Sequence, residues 1–220
     1  MPSVRHVLLA GIVGSTAYGL AGPGSDIDRL GVFAAPTVAL HGLQPPPESY
    51  VSSHPDVTLH EARKFCVLAL GGNPTVTELM WLPADLYETT TPLGEELIGI
   101  RGAFLSAERT REAYLGYATQ QFRRLASKGT DRRTAKHARH LYRLCAQGFA
   151  LYSTGHLPIR LDDPEKFKRF GAEVAGGDLE QAREMLARYQ RLFDETTTRL
   201  PEEPDSRVVE DWLLKVRRTF

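Results

Sequence analysis

The chain has 220 residues, of which 42% are hydrophobic and 25% charged, a composition that excludes disordered and collagen-like proteins and is ordinary for a soluble globular one. Its 27 basic and 27 acidic residues balance, so net charge alone does not indicate a polyanionic partner. No stretch is long and apolar enough to span a bilayer, and Gly11, Gly14 and Ser15 interrupt the N-terminal apolar run. We therefore expect a cytoplasmic protein with no membrane partner.

The first half of the chain mixes strand and helix signals. Short runs rich in apolar and β-branched residues predict strands over residues 4–12, 26–34 and 56–60. Residues 36–55 are rich in Pro, Ser and Gly, which predicts a long surface loop. Helices are expected over residues 16–21 and 61–70, and from the cap pair Thr91-Pro92 towards Phe104. Asn73-Pro74 opens a further element that reaches Trp81.

The pattern becomes helical after residue 105. Apolar residues there recur at three- and four-residue spacing, which predicts helices over residues 108–127, 134–154, 163 onward, 178–199 and 205–220. Cys66 and Cys145 lie far apart in apolar helical patterns, so we expect both to be reduced and buried. The chain is thus predicted to be an α+β protein, with a mixed-sheet domain over residues 1–105 and a helical domain over residues 106–220.

A Gly-Ser turn followed by two aspartates contains the main candidate residues for catalysis. Gly14-Ser15 follows the first strand and leads into a helical turn, which presents backbone N–H groups and a hydroxyl to an anion. Asp26 and Asp28 alternate with Ile27, so a strand would place both carboxylates on one face. Mg²⁺ is usually held by one or two carboxylates together with substrate phosphates. The pattern therefore predicts phosphoryl or nucleotidyl transfer.

These residues also resemble a known family. The strings GSTAYGLA at residues 14–21, GSDID at 24–28 and GVF at 31–33 resemble the polymerase-beta-type nucleotidyltransferases, in particular their RNA-repair-pathway group. Further similarity lies in RKF at 63–65, GNP at 72–74, Glu78, and the helical stretch around His140 and Arg143. The resemblance implies a small mixed-sheet nucleotidyltransferase domain followed by a helical part that completes the substrate cleft.

The family also implies a third carboxylate on a neighbouring strand. Asp56, which opens the predicted strand at 56–60, matches it better than Glu61, which is expected at a helix start where it favours the helix dipole. The resemblance then implies that Asp26 and Asp28 hold two Mg²⁺ ions, with Mn²⁺ as the alternative, and that Asp56 ligates one of them. Gly14 and Ser15 would hold the nucleotide phosphates while a hydroxyl attacks the α-phosphorus and expels pyrophosphate.

Basic residues of the helical half are the second group of candidates. Helical spacing puts Lys136, His140 and Arg143 on one side of a helix, where a solvated surface and contacts to the triphosphate or acceptor are both open interpretations. A run that is either an RNA-backbone patch or an ordinary helix end comprises Arg123, Arg124, Lys128, Arg132 and Arg133. Tyr18 either stacks on a base or packs beneath the turn.

Three functions compete. The first is an enzyme that moves a nucleoside monophosphate from an NTP to a hydroxyl acceptor, which would be an RNA end or otherwise a protein or small molecule. The second is a non-catalytic nucleotide- or RNA-binding module, which would not need clustered carboxylates. The third is a toxin–antitoxin nucleotidyltransferase acting on tRNA or protein. Nothing in the sequence indicates the base preference or the oligomeric state.

Overall fold

The computed structural model of the protein describes residues 6–127 and 133–220. The chain divides into two compact units: Met1–Leu105 with Pro204–Phe220 form the first, and Ser106–Glu203 form the second. Lys128 and Arg132 of the predicted basic run lie outside the described residues, as does the start of the predicted strand at 4–12.

A mixed sheet is the framework of the first unit. Its strands within the described residues are β1 (Val7–Val13), β2 (Asp28–Phe33), β3 (Ser49–Ser53), β4 (Asp56–Glu61) and β5 (Tyr87–Thr90). They lie in the order β3-β4-β2-β1-β5, in which β2 and β4 pair in parallel and all other neighbours are antiparallel. Leu30, Val32 and Phe33 are buried, so the central strand β2 is part of the core.

Short helices with well-defined caps complete the N-terminal part of this unit. They are α1 (Gly14–Tyr18), α2 (Thr37–Leu40), α3 (Ala62–Leu70), α4 (Pro74–Thr77) and α5 (Pro92–Gly99). Asn73 Oδ1 accepts hydrogen bonds from the N–H groups of Thr75 and Val76, and Thr91 Oγ1 accepts one from Gly94 N at 3.2 Å. The cap predicted at Thr91-Pro92 is therefore confirmed.

The second unit is helical throughout its regular elements. It contains α6 (Ala107–Ser127), α7 (Thr134–Thr154), α8 (Pro164–Ala175) and α9 (Leu179–Glu195). Tyr142 of α7 packs against Phe167 and Phe170 of α8, with ring centroids 4.4 and 5.0 Å apart. Aromatic pairs of this kind add to the stability that area burial supplies, so these rings hold α7 and α8 together.

The last helix, α10 (Ser206–Thr219), belongs to the first unit, although the sequence analysis grouped it with the helical half. Its apolar face buries Val209, Trp212 and Val216. Trp212 Nε1 donates a hydrogen bond to the Leu93 carbonyl oxygen at 2.9 Å. Helical periodicity identifies such a face but not the core that receives it.

A buried ion pair also fixes α10. The Arg217 guanidinium donates to both carboxylate oxygens of Glu61, at 2.6 and 2.8 Å, and Glu61 also accepts from Arg63 N at 2.8 Å at the start of α3. The Glu61 side chain is only 5% exposed and that of Arg217 is 16% exposed. This bidentate pair therefore joins the end of β4, the start of α3 and the C-terminal helix.

Two sequence predictions of local structure were wrong. Asp26 does not lie in the second strand, which begins at Asp28. The β1 strand ends at Val13, opposite Asp28, and continues into α1, so residues before Asp28 have no strand to pair with there. The predicted loop over 36–55 contains α2 and the edge strand β3, where Tyr50 packs on Phe33 at a centroid distance of 5.1 Å.

The two cysteines agree with the sequence prediction, whereas one strand was not predicted. Cys66 and Cys145 are free and buried, as predicted, and burial raises the pKa of each thiol to about 12. The edge strand β5 was not predicted. Across residues 6–127 and 133–220, none of the helices combines the length and hydropathy needed to cross a bilayer.

The Glu61–Arg217 pair yields a stability prediction. We expect Arg217→Ala to destabilise the protein by about 3–5 kcal/mol, because it leaves the buried Glu61 carboxylate without its counter-ion. Urea unfolding measures the change, and Arg218→Ala on the exposed side of the same helix is the control. Equal unfolding midpoints for the two variants would contradict the prediction.

Candidate active site

The turn between β1 and α1 packs directly on an aspartate. The β1–β2 register places Val13 opposite Asp28, and the next residue, Gly14, adopts a left-handed backbone with φ 70°. A Cβ at Gly14 would collide with Asp28 Oδ2. Glycine is therefore favoured here for two reasons: the backbone has a positive φ, and a carboxylate lies too close to leave room for a Cβ. The structure brings together two of the residues that the sequence analysis selected, Gly14 and Asp28.

Parallel pairing brings a second carboxylate alongside. Arg29 of β2 is the register partner of Val57 in β4, and Asp28 and Asp56 immediately precede these two residues. Neighbouring strands lie about 4.8 Å apart, and paired positions direct their side chains to the same face. Asp28 is half-buried and Asp56 is exposed. Both carboxylates thus belong to one end of two adjacent strands.

Asp26 occupies a different setting from these two. It is exposed and follows a turn in which Ser25 N donates to Gly22 O at 3.0 Å and Gly22 N donates to Ser25 Oγ at 2.9 Å. In the part of the chain that the structure describes, no group of three His, Cys, Asp or Glu side chains is arranged to hold a metal ion. Asp26 lies two residues before the first residue of β2, so strand geometry does not fix the orientation of its side chain.

Glu61, the alternative third carboxylate, lies at the far end of β4. Its register partner is Phe33, the last residue of β2, whereas Asp56 lies at the end where β2 begins. Five residues along a strand correspond to about 17 Å. The Glu61 carboxylate is also engaged by Arg217 and by the start of α3. Its position and contacts are those of a structural group.

A buried hydrogen bond holds the helical turn that follows Gly14. Tyr18 is 7% exposed and Glu78 is 2% exposed, and the Tyr18 hydroxyl donates to Glu78 Oε2 at 2.5 Å. Gly19, with φ 77°, ends the turn. The half-buried Ser15 accepts two hydrogen bonds at its carbonyl, from Leu20 N and Ala21 N. Of the two interpretations of Tyr18, the structure favours packing beneath the turn over stacking on a base.

Three of the basic candidates of the second unit lie on α7. Lys136 is exposed, His140 is partly buried and Arg143 is 4% exposed. Arg143 donates to Gln147 Oε1 at 2.6 Å and contacts His140 Nδ1 at 3.0 Å, and Gln147 Nε2 donates to the Pro158 carbonyl oxygen at 2.7 Å. The structure brings His140 and Arg143 together, and it adds Gln147, which its apolar helical context did not single out.

The protonation state of His140 follows from these contacts. Burial, together with the positive charges of Arg143, His137, Arg124 and Lys136, lowers the pKa of His140 to about 3. Because a guanidinium only donates, Nδ1 accepts the Arg143 bond and the neutral ring carries its proton on Nε2. At neutral pH His140 is thus a neutral N–H donor rather than a cation.

A comparison with known families agrees with this architecture. A mixed sheet followed by helices, with a Gly-Ser turn against an aspartate, is the arrangement expected of a polymerase-beta-type nucleotidyltransferase. The chain belongs to the family described as RlaP, the RNA repair pathway DNA polymerase beta family, whose model matches residues 3–213. No curated protein sequence matches the chain.

The Gly14–Asp28 contact can be tested against a matched glycine. We expect Gly14→Ala to cost clearly more stability than Gly24→Ala: both residues have positive φ, 70° and 78°, but only at Gly14 would a Cβ meet another group. The φ strain alone is about 1–2 kcal/mol. Thermal unfolding of both variants measures the difference, and equal losses would show that the Asp28 contact adds nothing.

The lowered pKa of His140 predicts a pH dependence. A histidine whose folded pKa lies below its ordinary 6.5 contributes stability above pH 6.5 that is lost as pH falls towards 3, by at most about 1.4 kcal/mol per pH unit. We expect His140→Gln to lose less stability than the natural protein between pH 7 and pH 5 in urea unfolding. His41→Gln, which removes an exposed imidazole, is the control. A profile unchanged by His140→Gln would contradict the assignment.

Proposed function

We propose that the protein transfers a nucleoside monophosphate from an NTP to a hydroxyl group, with an RNA end as the acceptor and pyrophosphate as the product. One observation carries this proposal: Gly14 packs on the Asp28 carboxylate while Asp56 begins the adjacent parallel strand. In this arrangement, the turn to which we assign phosphate binding contacts Asp28, and Asp56 begins the neighbouring strand. Membership in an RNA-repair family supports the choice of RNA as the acceptor.

Mg²⁺, with Mn²⁺ as the alternative, fits the donor atoms of this end of the sheet. Asp28 and Asp56 offer hard carboxylate oxygens from neighbouring strands, and Asp26 offers a third from the exposed segment just before β2. Mg²⁺ sites commonly combine one or two carboxylates with substrate phosphates, so a complete protein cage is not needed. Bound there as two ions, the metal would neutralise triphosphate charge and favour deprotonation of the acceptor hydroxyl.

The chain's own residues take distinct roles in the proposed reaction. The N-cap residue of α1, Val13, makes no side-chain capping bond, and we assign the N–H groups of Gly14 and Ser15 to the phosphate oxygens. Asp56, the exposed carboxylate, accepts the proton of the acceptor hydroxyl. The hydroxyl oxygen then bonds to the α-phosphorus as the bond to the β-phosphate oxygen breaks and pyrophosphate leaves. Positioning and charge neutralisation provide most of the catalysis.

Candidate phosphate contacts of the second unit divide by their accessibility. Lys136 is exposed and is the proposed direct contact to triphosphate or acceptor. Nε2–H of the neutral His140 is a further donor. Arg143 is 4% exposed and bonded to Gln147, so we assign it the positioning of His140 rather than a contact of its own.

Carboxylate substitutions test the proposed reaction. With radiolabelled NTPs, Mg²⁺ and total RNA, we expect Asp26→Ala/Asp28→Ala to abolish incorporation into RNA. Asp56→Asn should reduce it by about 10²–10⁴-fold, because it removes a metal ligand and the proton acceptor together. Asp56→Asn should melt close to the natural protein, since Asp56 is exposed. Circular dichroism establishes that Asp26→Ala/Asp28→Ala, which also changes the half-buried Asp28, is folded.

Glu61→Gln separates the third carboxylate from its alternative. This variant should melt at a lower temperature, because the bidentate Arg217 pair is weakened, but should retain transfer per folded molecule. Loss of transfer in Glu61→Gln with retention in Asp56→Asn would reverse the assignment. Label incorporation that persists in Asp26→Ala/Asp28→Ala would refute the metal site, and absence of transfer to RNA by the natural protein would refute RNA as the acceptor.

A further inference from the structure

A groove in the second unit combines cationic side chains with an aromatic floor. On α8, Lys166 and Arg169 are three residues apart, and so are Arg188 and Arg191 on α9, so each pair lies on one helix face. All four side chains line a single cavity of about 620 Å³ whose wall also includes Tyr142 of α7. That volume is in the range of ligand-binding pockets, about 300–1,000 Å³. We call this cavity the cationic groove.

The charges of the cationic groove are not neutralised by ion pairing. Among the described residues, none of its four cations has a carboxylate within ion-pair distance. Cations elsewhere on the same helices are paired: Lys168 Nζ lies 2.7 Å from a Glu165 oxygen.

On α9, the cation outside the groove is also paired: the Arg183 guanidinium lies 3.0 Å from a Glu180 oxygen. Two carboxylates, Glu173 and Glu184, also line the groove, against four cations. Because the whole chain carries no net charge, this surplus is a local property of the groove.

The floor of the groove is apolar and aromatic. The rings of Tyr142 and Phe170, both in the lining, have centroids 5.0 Å apart, and Met185 lies in the same wall. Lys166 Nζ lies over the Tyr142 ring, 5.6 Å from its centroid, so a cation adjoins this apolar surface. Surfaces that bind single-stranded nucleic acid combine these two features, cations for the phosphates and apolar or aromatic surface for bases and sugars.

We propose that the cationic groove binds a single-stranded segment of RNA, without sequence preference, through phosphate contacts from Lys166, Arg169, Arg188 and Arg191. The choice of RNA among polyanions rests on the proposed function, because an RNA-repair nucleotidyltransferase must hold its acceptor strand. The groove contains none of the carboxylates or turn residues assigned to catalysis, so its contribution is to acceptor binding and not to the chemical step.

Paired charge substitutions on the same two helices test the proposal. The probe is a fluorescein-labelled single-stranded oligoribonucleotide of about 12 nucleotides, within the site sizes of single-strand binding proteins. Fluorescence anisotropy compares Arg169→Gln/Arg188→Gln in the groove with Lys168→Gln/Arg183→Gln. The second pair removes the same charge from α8 and α9 at ion-paired positions. Circular dichroism melting establishes that both full-length variants fold.

We expect the groove variant to bind the probe at least about tenfold more weakly and the control variant to bind like the natural protein. The slope of log K against log salt should flatten by about 1.4 in the groove variant, because two phosphate contacts are lost at about 0.7 each. Equal binding by groove variant and natural protein would overturn the proposal. So would an equal loss in the control variant, or displacement of the probe by polyglutamate as readily as by unlabelled RNA.

Transfer assays on the same proteins separate this proposal from the proposed function. If Asp26→Ala/Asp28→Ala binds the probe normally but transfers nothing, both proposals stand. If the natural protein binds RNA in the groove yet transfers no nucleotide to it, the groove assignment survives and the proposed reaction fails. If the groove variant binds RNA and labels it like the natural protein, the reaction survives and the groove assignment fails.

Discussion

Strand pairing around β2 is the constraint on which the candidate active site depends. Antiparallel pairing with β1 sets Val13 opposite Asp28, and parallel pairing with β4 sets Asp28 beside Asp56. A shift of one residue in either register would turn one of these side chains to the other face of the sheet. The close approach of Gly14 to the Asp28 carboxylate is a direct result of the first pairing. The geometry of the candidate active site thus depends on strand pairing more than on side-chain contacts.

The opposite end of the same strands is held by a different means. Glu61 closes β4, begins α3 and accepts two hydrogen bonds from Arg217, so the C-terminal helix completes the unit that starts with β1. Removing two charges from water is costly, and a buried pair of this kind is compensated only by good geometry. The two acidic residues at the ends of β4 therefore have different environments: Asp56 is exposed, and Glu61 is buried and paired.

Charge in the second unit is likewise divided between buried and exposed positions. Arg143 is enclosed and bonded to Gln147 and His140, and its field helps to keep His140 neutral. Among the described residues, the cations of α8 and α9 divide again, into those that form ion pairs and those that line the groove without an ion pair. Composition alone hides this separation, because the total charge of the chain is zero.

Local signals allowed much of the architecture to be predicted. The cap pair Thr91-Pro92, the α+β fold, the helices of the second half and the buried cysteines all follow from short-range patterns that the structure confirms. Asp26 was misplaced because alternation with Ile27 imitates a strand, while the strand's start is decided by where its partner β1 turns away. The edge strands β3 and β5 were missed because an edge strand buries too little to show a clear hydrophobic pattern.

By itself the sequence determined the family and the fold class, and it predicted the Gly14-Ser15 turn and its aspartates as site residues, because these depend on order and spacing along the chain. Only the tertiary structure decided which of them meet, which unit receives the C-terminal helix, and that Glu61 pairs with Arg217. It also decided which cations of α8 and α9 form ion pairs and which line the groove. Contacts between residues far apart in sequence arise from strand register and helix packing, which local propensity does not encode.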